Sequence, residues 1–224
     1  MGVSRSMAAS NLAQALLSQA AVRGFDPGDC VPVQAGHRIE STSETGPVVT
    51  LVFDGVIARR SGEDGVSMGL AGPGEVVGFD IGAVGPAETG LWLTSGRQLQ
   101  IPLQQLVERL DATVLNEFQI ADLHLKTTAL RKEVLRHARL HLSQRVAALL
   151  LDAHERCGAT SIGLRQSDLA ELLSVRRAGV STACGELQRA LRVRRGVIEL
   201  TDIDAVRAAA APHSTVTDLA RLRG

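Results

Sequence analysis

At 224 residues the chain can bury one large core or two modest ones, and 45% hydrophobic with 21% charged residues marks it as globular rather than disordered. Basic and acidic residues balance at 24 each, which excludes a strongly cationic chain, but residues 1–110 carry 7 arginines against 11 acids and residues 131–207 carry 14 cations against 9 acids. An acidic front and a basic back suit a sensory half joined to a half that binds a polyanion.

Three cysteines, Cys30, Cys157 and Cys184, stand far apart with no Cys-x-x-Cys pair. That spacing indicates neither a disulfide framework nor a thiolate metal site, and it points to a reducing cytoplasm. The run from Leu12 to Val22 is interrupted by Gln14, Ser18 and Gln19, too polar for a signal-peptide core. No run approaches the roughly 18 apolar residues of a membrane span.

Asn11 to Val22 reads as a short amphipathic helix. From Phe25 to Ile101 the chain is rich in glycine and proline between short apolar runs, including Val48–Phe53, Val56–Ala58, Val76–Phe79 and Leu91–Leu93. This texture predicts an antiparallel β sandwich or barrel, with hairpin turns at Asp54-Gly55 and Glu63-Asp64-Gly65 and Trp92 in the core. Pro102 closes the sheet, Leu103–Leu110 forms a helix, and Asp111 caps a longer one running to about Ala138.

That long helix carries two apolar stripes. Val114, Phe118, Ala121 and Leu125 advance by four and three; Ile120, Leu123, Thr127, Leu130 and Val134 do the same about 200° around the axis. A helix apolar on two faces must bury both, one on the β domain and one on a symmetry mate. We assign Val114, Phe118, Ala121 and Leu125 to a parallel homodimer interface within residues 112–137; the alternative is one buried helix in a monomer. The next helix, His141–Cys157, has Ser143 as its candidate cap.

In the stretch Gln166–Leu191, Leu169, Leu172 and Leu173 recur at helical spacing, stop at Ser174 and Val175, and resume as Val180, Ala183 and Leu187. The small Ala170 permits a steep helix crossing and Val180 plugs it, the packing of a helix-turn-helix. Arg176 and Arg177 begin the second helix, with Ser181 and Thr182 one turn on, a composition suited to a DNA major groove. Periodicity alone equally allows a helical hairpin with a solvated basic turn. Arg192–Leu200 reads as a hairpin with a basic tip at Arg195, placed like a wing against phosphates, and residues 202–210 as a last short helix.

The wording DLAELLSVRRAGVSTACGELQRA followed by VRRGVIEL, with the order of elements before it, resembles the Crp/Fnr family of bacterial transcription regulators. The likeness is closest over 139–207 and looser through the long helix. Over the β region it rests on architecture with Gly74-Glu75 and Trp92. It implies an α+β chain: an N-terminal antiparallel jelly-roll barrel of the cyclic-nucleotide-binding type (1–110), a dimerisation helix (111–138) and a C-terminal winged helix-turn-helix (139–224). It further implies double-stranded DNA with a near-palindromic operator as partner, contacted by Arg176, Arg177, Ser181, Thr182, Gln166 and Arg195, and RNA polymerase as a further candidate. Gly74, Glu75, Thr89 and Trp92 would line an effector pocket.

Departures from the family pattern are informative. Ser174 stands where the turn glycine is expected, at a cost of about 1 kcal/mol for a left-handed residue. Arg165 replaces the threonine cap of the first helix, so Ser167 is expected to cap it. One residue is missing between Ala190 and Leu191, which would seat the wing differently. Cyclic-nucleotide-binding relatives place an arginine after the glycine-glutamate pair, but no cation occurs between Arg60 and Arg97. A buried phosphate without a cation is costly, so cyclic AMP held in the usual way is not expected; an unidentified small-molecule effector stays open. The cysteine cluster of the family's iron-sulfur branch is absent from the N-terminal region.

His137 and His141 are four apart, a zinc-capable spacing with no further ligand in view, and Cys184 reads as a small buried hydrophobe. Without a nucleophile elbow, P-loop, paired catalytic carboxylates or the histidines of a cupin, no metal, cofactor or enzyme activity is expected. The alternative function is a small-molecule-binding module whose C-terminal domain serves assembly.

Overall fold

The computed structural model describes residues 15–16, 29–40, 42–43, 46–61, 65–79 and 88–211. Nine short strands come first: β1 (Val31–Val33), β2 (Arg38–Glu40), β3 (Thr42–Ser43), β4 (Gly46–Asp54), β5 (Ile57–Arg60), β6 (Ser67–Ala71), β7 (Val76–Val77), β8 (Thr89–Trp92) and β9 (Gly96–Pro102). They form two antiparallel sheets, β1-β9-β4-β3 with β7 also on β4, and β2-β8-β5-β6. Helices α1 (Leu103–Arg109), α2 (Ala112–Arg139) and α3 (Leu142–Cys157) follow. Then come β10 (Ser161–Ile162), α4 (Gln166–Leu172), α5 (Arg177–Glu186), β11 (Leu191–Arg194), β12 (Val197–Leu200) and α6 (Ile203–Ala210), with β10-β12-β11 as a third sheet. The architecture is the expected α+β chain: antiparallel sheets, a long helix and a helix-turn-helix with its wing.

Strand alternation sorts the core. On β5, Ile57 joins Val33, Ile39, Val52, Ala71, Val77 and Trp92 between the sheets, while its neighbours Val56 and Ala58 turn to the other side. There they meet Leu70, Leu91 and Leu93, and this patch is continuous with the apolar interior of α3 and the helix-turn-helix. The outer face of one sheet is therefore covered by the C-terminal domain. Val49, Leu51, Leu99 and Ile101 of the other sheet pack with Leu103, Leu106 and Leu115 of α1 and α2. Burying side chains of this size contributes roughly 1.5–3 kcal/mol each. The β4–β5 turn falls at Asp54-Gly55 as expected, with Gly55 at φ +81°. The 63–64 turn residues and most of the expected 11–22 helix lie outside the described residues, although Leu16 is buried against this core.

Asp111 caps α2 by accepting the Thr113 amide at 2.8 Å. At 28 residues α2 is about 42 Å long, and it passes so close to β6 that a Cβ on Gly69 would sit 2.7 Å from that of Ala129. Its two stripes have the reverse of the expected roles. Val114, Phe118, Ala121 and Leu125 pack on the barrel core, because they share the helix face of buried Leu115 and Asp122. Those four are the barrel contact and not the uncovered stripe. The exposed stripe is Ile120, Leu123, Leu130 and Val134, with Leu135 beside it.

Two caps also differ from expectation. On α3, Gln144 rather than Ser143 closes the first turn, its Oε1 accepting the His141 amide at 2.9 Å. On α4, Asp168 rather than Ser167 caps: its carboxylate accepts the Arg165 amide at 3.3 Å and the Arg165 Nε at 2.7 Å. An ionised acceptor three residues in is the stronger partner for an orphan first-turn amide.

Candidate DNA-binding face and effector region

The α4–α5 pair is built as its sequence requires. Leu169, Leu172, Leu173, Val180, Ala183 and Leu187 are buried, with Ala170 and Val180 at the crossing. The turn passes through Ser174 at φ +53°, the left-handed conformation expected where a glycine is missing. The Ser174 and Val175 amides donate to Glu171 and Ala170, so the strained residue sits in a bonded turn. Gly179 lets α5 approach α3, since a Cβ there would lie 3.1 Å from Leu142.

This packing leaves one edge of α5 to solvent. Arg176, Arg177, Ser181 and Thr182 are all exposed, and neither arginine forms an ion pair among the described residues. The Thr182 hydroxyl donates back to the Ala178 carbonyl at 3.2 Å. The α5 N-terminus, with its unpaired amides, adds positive potential beside the two guanidinium groups. The wing forms with four residue pairs between β11 and β12, Leu191 opposite Leu200 through Arg194 opposite Val197. The Ala190 carbonyl, just before β11, accepts the Thr201 amide at 2.9 Å. Arg195 stands exposed at the tip, while Arg194 is paired with Glu199 at 3.2 Å. Arg189 and Arg192 are further exposed cations on this domain that the sequence reading passed over. Gln166 is half-buried at the start of α4. Cys184 is buried in α5, and burial pushes its thiol up.

The residues expected to line an effector pocket take different places in the barrel. Trp92 lies between the sheets with its Nε1 donating to Gln98 Oε1 at 3.3 Å. Thr89 pairs with Arg60 and Glu40 in the sheet. Gly74 adopts φ +87°, and Glu75 accepts the Gly72 amide and reaches Arg156 of α3 at 3.0 Å.

Between β5 and α2, however, is a cluster of buried charges. Arg59 is 2% exposed, with Nη1 3.6 Å from both Glu88 and Asp122, which are 3% and 2% exposed. Lys126 lies 3.0 Å from Glu88 and 2.8 Å from Asp122. Glu75 comes to 3.9 Å of Arg59. Burial holds the Asp122 carboxyl above the ordinary aspartate value, against the pull of Arg59 and Lys126. The Arg59 Nε and Nη1, Glu88 Oε1 and Asp122 Oδ1 have no hydrogen-bond partner among the described residues. The two cations of this cluster come from β5 and from the long helix, and carboxylates of the chain engage both. The one signal in the sequence was Asp122 and Lys126 at i, i+4 beside an apolar stripe.

A strand sandwich joined by one long helix to a winged helix-turn-helix is the architecture of solved two-domain transcriptional regulators. Residues 144–209 match the Crp-like helix-turn-helix domain. The described residues have the fold of solved Crp/Fnr-type regulators. The chain is similar to a CRP/FNR-family transcriptional regulator of Thermus thermophilus, with 22% identity and a TM-score of 0.62, covering 81% of this chain and 98% of that one. A CRP-family regulator of the same organism aligns with 15% identity and a TM-score of 0.61, covering 80% and 96%. FixK2 of Bradyrhizobium japonicum aligns with 19% identity and a TM-score of 0.57, covering 83% and 98%. At these identities the likeness is one of fold. No curated protein matches by sequence. Among the described residues no helix is long and apolar enough to cross a membrane.

Proposed function

We propose that the chain is a homodimeric, sequence-specific transcription regulator that reads DNA with α5. The observation that carries this is the exposed, unpaired Arg176-Arg177 start of α5 inside a Crp-like helix-turn-helix. Arg176 and Arg177 reach guanine edges or phosphates, Ser181 and Thr182 make the next contacts, and Gln166 and Arg195 touch the backbone on either side.

The dimer reading rests on the uncovered stripe of α2. Ile120, Thr127 and Val134 alternate with Leu123 and Leu130 at steps of three and four, so one heptad position is β-branched and the other is leucine. That alternation favours two parallel strands. A two-fold dimer would read half-sites about 34 Å apart in a near-palindromic operator. The division into a barrel to residue 110, a dimerisation helix to 138 and a DNA-binding domain beyond follows the same reading, and three free cysteines suit a reducing cytoplasm. Control by cyclic AMP in the usual way is disfavoured, because Arg59 and Lys126 already serve Glu88 and Asp122.

Selection of duplexes from fragmented genomic DNA, followed by gel shift at physiological salt, tests the reading. A preferred symmetric sequence is expected, bound by two chains. A variant with Leu123→Glu and Leu130→Glu is expected to sediment as a monomer and to lose operator binding. The reading fails if no sequence outcompetes bulk DNA.

A further inference from the structure

The C-terminal domain is tied to the barrel by charge as well as by apolar packing. Arg60, on the outer face of β5, is 9% exposed and its Nη2 lies 2.6 Å from Glu171 of α4. Arg38 of β2 reaches Asp168 at 2.9 Å and Glu171 at 3.3 Å. The Gly163 amide, two residues before Arg165, donates to the Leu93 carbonyl of the barrel at 2.6 Å, and a Cβ on Gly163 would lie 2.4 Å from that of Ala35 in the turn before β2. The Asp168 carboxyl is subject to burial, but Arg165 and Arg38 together hold it below the ordinary aspartate value.

These contacts fall on one end of the helix-turn-helix. The base-reading edge of α5 is exposed, whereas α4, whose start bears the half-buried Gln166 and Ser167 and faces the DNA backbone in the reading proposed above, is held by Arg38 and Arg60 through Asp168 and Glu171, and the segment just before it packs on the barrel turn at Ala35. Phosphates approaching that end would meet β2 and the Ala35 turn. On β5 the residue preceding Arg60 is Arg59, which points to the opposite face and pairs with Asp122 of α2. The strand therefore joins the clamp on α4 directly to the long helix.

We propose that Arg38 and Arg60, with Asp168 and Glu171, form an interdomain latch that restrains DNA binding, and that β5 links its release to the Arg59 cluster on α2. The proposal rests on the DNA-binding reading. The apolar contact of α3 with Val56, Ala58, Leu70, Leu91 and Leu93 acts as the pivot about which the α4 edge opens.

The test uses the full chain with Arg38→Gln, Arg60→Gln and the pair together. Each removes a cation, so electrostatics alone would weaken binding to a polyanion, and tighter binding must come from release. Amide exchange at Gly163 is expected to quicken about tenfold or more, with operator affinity in gel shift rising by a similar factor. Arg60 also donates to the Gly65 carbonyl, so Arg38→Gln, at a half-exposed site, is the variant that spares the barrel. Weaker or unchanged operator binding overturns the latch while leaving the DNA reading intact, and so does unchanged exchange at Gly163. Failure of the unmodified chain to prefer any duplex overturns both.

Discussion

Two of the chain's three pairs of consecutive arginines meet opposite fates. Arg59-Arg60 lies on a strand, whose alternation sends one side chain towards α2 and the buried carboxylates Glu88 and Asp122, and the other onto α4 and the half-exposed Glu171. Arg176-Arg177 opens a helix, where both side chains splay to solvent with no ion pair among the described residues. Identical residues thus serve as internal fasteners in one half and as an open cationic edge in the other. The difference follows from the backbone that carries them, and a count of charges along the sequence cannot separate the two uses.

The comparison is tested most severely at Arg59. Arg59→Met leaves Glu88 and Asp122 buried with one fewer cation, and a loss of about 3–5 kcal/mol in urea unfolding is expected. Adding Glu88→Gln and Asp122→Asn should recover much of it; a single substitution costing nothing would mean that the cluster is not a unit. The exposed pair should behave differently. Arg177→Ala is expected to leave urea unfolding unchanged while operator affinity falls about 10- to 100-fold, more than affinity for bulk DNA. Equal losses on both would make Arg177 a phosphate contact.

The smallest effects are those of pH. Asp122 is held above 3.8, so its contribution to stability is full below that value and is lost as pH rises through its folded-state value. Asp168 is held below 3.8, so its contribution is present above that value and is lost as pH falls through its folded-state value. Urea unfolding across the acid range should therefore show wild type losing ground to Asp122→Asn as pH rises, and losing its advantage over Asp168→Asn as pH falls. Parallel curves for the two variants would show that the carboxylates share one environment.

Much of the fold was legible because periodicity and punctuation agree along it. The strands between glycine-rich turns, the Asp111 cap, the α4–α5 crossing at Ala170 and Val180, and the left-handed Ser174 all follow from local rules. The two stripes of α2 were legible too, but not which faced inward, because Phe118 and Leu123 are equally apolar and only the neighbouring strands decide. Capping was misread at Ser143 and Ser167, where Gln144 and Asp168 reach back instead, since side-chain reach depends on geometry that spacing alone leaves open. Arg59, Glu88 and the Asp122–Lys126 pair come from three separate places in the chain, and nothing local announces that the three meet. Nor does any local pattern pair Arg60 with Glu171, 111 positions away.

The serine at the left-handed turn also acts on the chain before it folds. A glycine there would relieve about 1 kcal/mol of strain, yet it would widen the range of conformations open to the unfolded segment, a penalty of about 0.4–1 kcal/mol. The two terms nearly cancel, so Ser174 costs the folded protein little in net stability. What it changes is the denatured ensemble, in which the segment between α4 and α5 has fewer shapes to search before the two helices can cross.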